Sequence, residues 1–214
     1  MIAVIEQHNQ HEYKHLVEEM FRLRARVFRD RLKWDVRATN GMERDRFDDE
    51  GPVYLIHTDP NAERVIGSLR LLPTTGPTLL AEIFRDTLPD AAGLTAPSIW
   101  ECTRFCVDET LVNGGAGDGD GLVMASAVLF AALGEVALQA GIRSILGNFD
   151  APMRRLYRRI GCEVNVLGRT NRYGRPVYLG LFPVTEAILT RVKGRLPRAE
   201  ALQRLEQPLR PVAA

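Results

Sequence analysis

The chain opens on a short apolar run, Ile2 to Ile5, which predicts a strand. Leu16, Met20, Leu23, Val27 and Phe28 then recur at helical spacing, predicting a helix over residues 10–33. Residues 34–52 are polar and rich in turn formers, yet Trp34, Met42 and Phe47 interrupt them, so a long loop anchored by large side chains is expected. Apolar runs at 53–58 and 65–72 flank Asp59, Pro60 and Asn61, the pattern of a hairpin. A turn at 74–77 leads to a short helix ending near Phe84, and 98–107 is again strand-like. A glycine-rich loop at 113–121 follows, with Asp118 or Asp120 placed to cap a helix over 122–140. Strands at 144–149, 163–168 and 176–182 and a basic helix at 151–160 complete the pattern. The last 20 residues hold three prolines and predict a peripheral helix with a loose end.

Strands and helices interleave, but a hairpin also occurs. The expected class is therefore α/β of the α+β type: a three-layer α-β-α sandwich around a mixed, splayed central sheet, resembling the N-acetyltransferase architecture. One domain over 1–194 with a tail at 195–214 suits the length. With 28 basic and 27 acidic residues the net charge is +1, which offers no general attraction to nucleic acid or to an anionic membrane. Lys14, Lys33 and Lys193 are the only lysines; the remaining 25 basic residues are arginine, suited to bidentate contacts with carboxylate or phosphate. Cys102 and Cys106 lie roughly 13 Å apart along one strand, beyond disulfide reach, so reduced thiols in a cytoplasmic protein are expected. The amino terminus lacks the layout of a secretory signal. Ser126, Gly134, Glu135 and Gln139 interrupt the longest apolar segment, which reads as a buried helix. His8, His11 and His15 could share a helix face, but no carboxylate or thiol motif accompanies them and no metal is expected.

Two charges stand out. Arg70 and Arg104 lie in strand-like, nearly apolar runs, where a guanidinium needs carboxylates and further hydrogen bonds around it. Glu101 in the same strand and Asp45, Asp48 and Asp49 in the anchored loop are the available acids, with Arg24 a further cation; a purely structural ion-pair network is the plain alternative. Strict alternation puts Glu101 and Arg104 on opposite faces. A bulge is therefore predicted between them.

These residues, taken in order, are distinctive. Arg24 and Phe28 in LRARVF, Trp34 in KWDV, Asp45 and Asp48 in ERDRFD, Arg70 in GSLRLLPTTGP, Phe84, and Glu101 with Arg104 in WECTRF resemble the LuxI-type autoinducer synthases, which make acyl-homoserine lactones. The match runs from about residue 20 to 107 and is looser beyond. The resemblance implies S-adenosylmethionine as substrate, with no cofactor, and an acyl thioester on acyl carrier protein or coenzyme A. The amine attacks the thioester, and the substrate carboxylate then displaces methylthioadenosine. It further implies Glu101 as the base, with Arg104 and Asp48 also at the chemistry. Arg24, Phe28, Trp34, Asp45, Arg70, Phe84, Thr103 and Phe105 would surround the substrate. An acyl pocket would be lined by Met124, Val128, Leu146, Gly147, Phe149, Met153 and Leu156. Gly147 takes the place of a threonine associated in the family with 3-oxo chains, so an unsubstituted or otherwise non-oxo chain is expected. Arg154, Arg155, Arg158 and Arg159 would form a docking face for an acidic carrier protein. The alternatives are a coenzyme-A-dependent N-acetyltransferase, disfavoured because Asp118 and Asp120 would repel pyrophosphate at the glycine loop, and a non-catalytic ligand-binding module of the same fold.

Overall fold

The computed structural model describes residues 1–88, 94–112 and 119–196. Its centre is a seven-stranded sheet in the order β1-β4-β5-β6-β7-β9-β8: Ile2–Ile5 (β1), Val53–Thr58 (β4), Val65–Pro73 (β5), Ile99–Val107 (β6), Ser144–Phe149 (β7), Val177–Pro183 (β9) and Asn165–Thr170 (β8). Every neighbouring pair is antiparallel except β6 and β7, which run parallel. The sheet is mixed, as expected. A parallel pair needs a crossover, supplied here by Glu109–Val112 (α3) and Asp120–Gln139 (α4).

Alternation along the strands sorts the side chains into two cores. Tyr54 and Ile56 of β4 pack with Leu16, Met20 and Leu23 of Lys14–Arg24 (α1), while Val53 and Leu55 pack with Leu129 and Leu133 of α4. Ala151–Ile160 (α5) and Glu186–Lys193 (α6) join α4 on its side, burying Leu156, Ile160 and Leu189. The result is three layers. Among the described residues, α4 is the helix long and apolar enough to cross a membrane; Ala127, Leu129, Ala131 and Ala137 are sealed within the fold. Asp150 caps α5 by accepting from the Met153 amide, and Thr185 caps α6 likewise.

The structure departs from the expectations in informative places. Residues 7–13 form turns, and α1 continues beyond Arg24 as a π-helix over Ala25–Arg31, so His8, His11 and His15 share no helix face. The widened turns bury Val27 and Phe28 and leave Arg29 and Arg31 outside. The loop at 34–52 contains a hairpin of Ala38–Thr39 (β2) and Met42–Glu43 (β3), turned by Asn40 and Gly41, both with positive φ (53° and 75°). Arg46–Asp49 then forms a 3-10 turn. Gly119, not an aspartate, occupies the cap of α4, and Asp120 instead accepts from Arg159 at 3.0 Å. Asp118, most of the glycine loop and the prolines of the tail lie outside the described residues.

Candidate active site

The site begins with an irregularity in β6. Ser68 pairs with Cys106 but Arg70 with Thr103, so one extra residue sits in β6 opposite β5, and Arg104 takes a left-handed backbone (φ 52°). This is the predicted bulge. Its effect is to change face: Glu101, Thr103, Arg104 and Cys106 turn toward α1, whereas Trp100, Cys102, Phe105 and Val107 turn toward α4.

On the α1 face three arginines meet three acids. The 3-10 turn carries a capping box in which Asp45 accepts from the Phe47 amide (3.0 Å) and Asp48 from the Asp45 amide (2.9 Å), fixing two carboxylates three residues apart. Asp48 then receives both Nη atoms of Arg24 (2.8 and 2.9 Å), Nη1 of Arg70 (2.8 Å) and the Tyr54 hydroxyl (2.8 Å). Arg70 also grips Asp45 bidentately (2.6 and 3.0 Å) and donates to Thr103 Oγ1. Glu43, placed by the Asn40–Gly41 hairpin, bridges Arg24 (2.5 Å) and Arg104 (3.2 Å), and Arg104 reaches Asp45 at 2.7 Å. Such matching of donors and acceptors is what makes buried charge tolerable. Burial alone would raise the Asp48 carboxyl; the hydrogen bonds and charge of Arg24, with that of Arg70, outweigh it and hold the group well below the usual range.

This arrangement revises several expected contacts. Arg24, Arg70 and Asp48 are sealed inside the network with their donors and acceptors engaged, so they hold the site's shape and do not face a ligand. Asp49, a candidate partner, instead pairs with Arg44 near the surface. Glu43 was not singled out by sequence, although the Asn-Gly turn just before it was a readable signal. At the network's edge Asp45 and Arg104 retain partial exposure and line a cleft.

Glu101 lines the same cleft, and no arginine among the described residues is hydrogen-bonded to it. Its carboxylate accepts from the backbone amides of Leu79 and Leu80, each at 2.8 Å, at the start of Leu79–Glu82 (α2), where Thr78 is the cap. Burial pushes its carboxyl up to about 7, against the opposing pull of the two amides and of the Arg70 and Arg104 charges. A carboxylate poised near neutrality can take a proton.

The cleft, about 1140 Å³, passes between β6 and β7, whose pairing ends at Glu101 and Leu146. Toward α1 it is walled by Phe28 stacked on Trp34 (centroids 5.0 Å apart) and by Phe84. Toward α4 and α5 it is apolar, lined by Gly147, Phe149, Met153 and Leu156 together with Phe130, Tyr157 and Phe182. Phe105 belongs to this apolar side, 5.2 Å from Phe130, and not to the charged one. Val128 packs in the core beneath β4 and β5, and Leu146 faces the opposite side with Leu80 and Leu179, so neither lines the cleft; nor does Met124, half-buried on α4. Alternation explains Leu146, which lies one residue out of phase with Gly147. Arg154, Arg155, Arg158 and Arg159 are all exposed on α5. Among the described residues no group of three or more His, Cys, Asp or Glu side chains is placed to hold a metal ion.

Comparison with known proteins agrees with this geometry. The autoinducer synthase family model matches residues 7–192. The acyl-homoserine-lactone synthase of Rhizobium etli is 41% identical over 182 residues, covering 85% of this chain and 83% of that protein; that of Rhizobium radiobacter is 37% identical over 171 residues, 80% and 76% respectively. Among solved structures, the coenzyme-A-dependent acyl-homoserine lactone synthase BjaI, with SAM and isopentyl-CoA, superposes with a TM-score of 0.82 at 27% identity, over 98% of this chain and 95% of that one.

Proposed function

The chain belongs to the autoinducer synthase family, and from its geometry we propose how it works as an acyl-homoserine-lactone synthase. S-adenosylmethionine lies on the α1 side of the cleft, its sulfonium near the Phe28–Trp34 stack and its charged amino-acid end between Asp45 and Arg104. Glu101, through water, takes the proton from the amine. The freed nitrogen attacks the thioester carbonyl, the thiol leaves, and the acyl tail lies against Gly147, Phe149, Met153 and Leu156. The substrate carboxylate then displaces neutral methylthioadenosine at its γ-carbon, which needs little acid assistance because a sulfonium is already a good leaving group.

The observation that carries this reading is the opening of one cleft onto both a charged edge, with Glu101 sealed against two amides, and an apolar channel. Product analysis by mass spectrometry tests it: the chain with S-adenosylmethionine and an acyl thioester is expected to release methylthioadenosine in equal amount to an acyl-homoserine lactone. Acylated product with no methylthioadenosine would instead make it a simple N-acyltransferase. The exposed arginines of α5 suit either carrier, since coenzyme A presents phosphates and acyl carrier protein presents carboxylates. BjaI's isopentyl-CoA favours the former; running the assay with each carrier decides.

Gly147 sets a further expectation. A Cβ built there meets Cys102 O and a Phe182 ring carbon only at 3.6 Å, ordinary contact, so a side chain fits. Gly147→Thr places a hydroxyl in the channel and is expected to raise the proportion of 3-oxo over unsubstituted product from mixed thioesters. An unchanged ratio by mass spectrometry would remove this position from acyl selection.

A further inference from the structure

Among the described residues, the buried side-chain polar atoms with no hydrogen-bond partner are Nδ1 of His57 and both ends of the Asn148 carboxamide. Asn148 lines the cleft and His57 does not. A buried amide that the protein leaves unpaired is unfavourable, and at a site it marks where a ligand atom belongs.

Register locates it. Leu146 is the partner of Glu101 across the parallel β6–β7 pair, and residues two apart on a strand share a face. Asn148 therefore projects to the side of Glu101 and Thr103, on the far wall of the gap that opens where pairing ends. Its cross-strand partner in β9, Leu179, is apolar and supplies no hydrogen bond. Gly147 and Phe149, on either side of it, face the acyl channel.

Given the synthase reading above, the acyl tail occupies one side of the sheet and the amine the other, so the group spanning the gap is the thioester carbonyl. We propose that Asn148 is a catalytic residue whose Nδ2–H donates to the carbonyl oxygen of the acyl thioester. As the nitrogen lone pair forms the C–N bond, the carbonyl π pair moves onto oxygen, where the Asn148 donor meets the growing charge. The pair returns as the C–S bond breaks, and the sulfur leaves with that bond's electrons and takes the second proton shed by the acylated nitrogen, departing as the thiol, while Glu101 keeps the proton it took before attack. A donor aimed at developing charge assists the transition state more than the ground state.

The test is steady-state kinetics of Asn148→Ala, Asn148→Leu and Asn148→Asp with a series of straight-chain acyl-coenzyme A thioesters, alongside calorimetric binding of S-adenosylmethionine to confirm an intact fold. All three are expected to lose about 100-fold in kcat, with KM for S-adenosylmethionine unchanged. Asn148→Leu is decisive because it keeps the size while it offers no donor and brings no charge into the cleft. A kcat within about twofold of the parent chain, or a change confined to KM for S-adenosylmethionine, would overturn the assignment. If the parent chain itself releases no methylthioadenosine with any thioester, the synthase reading fails and takes this assignment with it; if the parent turns over and the variants match it, only the role of Asn148 fails.

Discussion

Glu101→Gln is expected to lower turnover by about 10²- to 10⁴-fold, the range for loss of a general base. The glutamine fills the same space and keeps one acceptor for the amides of Leu79 and Leu80, so the fold should survive with a modest loss from the second, unsatisfied amide. The pH dependence supplies an independent signature. A base must be unprotonated to act, so kcat/KM of the parent chain should rise with pH and level off above about 7, where the Glu101 carboxyl ionises. Stability moves the other way. Raised above its unfolded value, this carboxyl contributes stability that is full below the ordinary glutamate range and is lost as pH climbs through about 7. The glutamine variant should lose both the kinetic limb and this slope. Undiminished methylthioadenosine release by the variant would remove Glu101 from the chemistry.

Asp48→Ala should damage the fold more than the chemistry. It strips Arg24 of a bidentate partner, Arg70 of one contact and the Tyr54 hydroxyl of its acceptor, leaving guanidinium charge buried without compensation. Breaking a buried pair in this way costs about 3 to 5 kcal/mol, a large share of a typical domain's stability. Urea denaturation should show a sharply lower midpoint. Asp45→Ala, at the cleft edge, should shift the midpoint less and raise KM for S-adenosylmethionine more. Because Asp45 and Asp48 are both held below their ordinary range, their contribution is present above about pH 4 and fades as pH falls further. A midpoint for Asp48→Ala equal to the parent's would show that the network contributes little.

Much of this was legible beforehand, for physical reasons. Strands at 2–5, 53–58 and 144–149 announced themselves because their apolar runs are bounded by turn formers. The bulge followed from a contradiction: Glu101 and Arg104 could share a face only if the strand gained a residue, and Arg104 does so at positive φ. What stayed hidden depends on distance in the chain. Nothing local to Arg24 or Arg70 says that acceptors will engage the first three times and the second four times, so sealed and ligand-facing arginines read alike. Leu146 and Gly147 differ by one residue and face opposite sides, which only register decides. The Asn40–Gly41 turn, by contrast, was a local signal, and with it Glu43 could have been placed beside the arginines. Asn148 gave no signal at all, since an asparagine in a strand is unremarkable until its surroundings are known.

The parting of β6 from β7 opens one cleft onto both faces of the sheet. In the mechanism proposed above, the residues assigned to the sulfonium metabolite and those assigned to the hydrocarbon tail thus belong to different layers, with only a narrow strip of strand in common. On that mechanism, reshaping the α4–α5 wall changes the acyl group taken while the costly lattice of arginines and acids is left untouched.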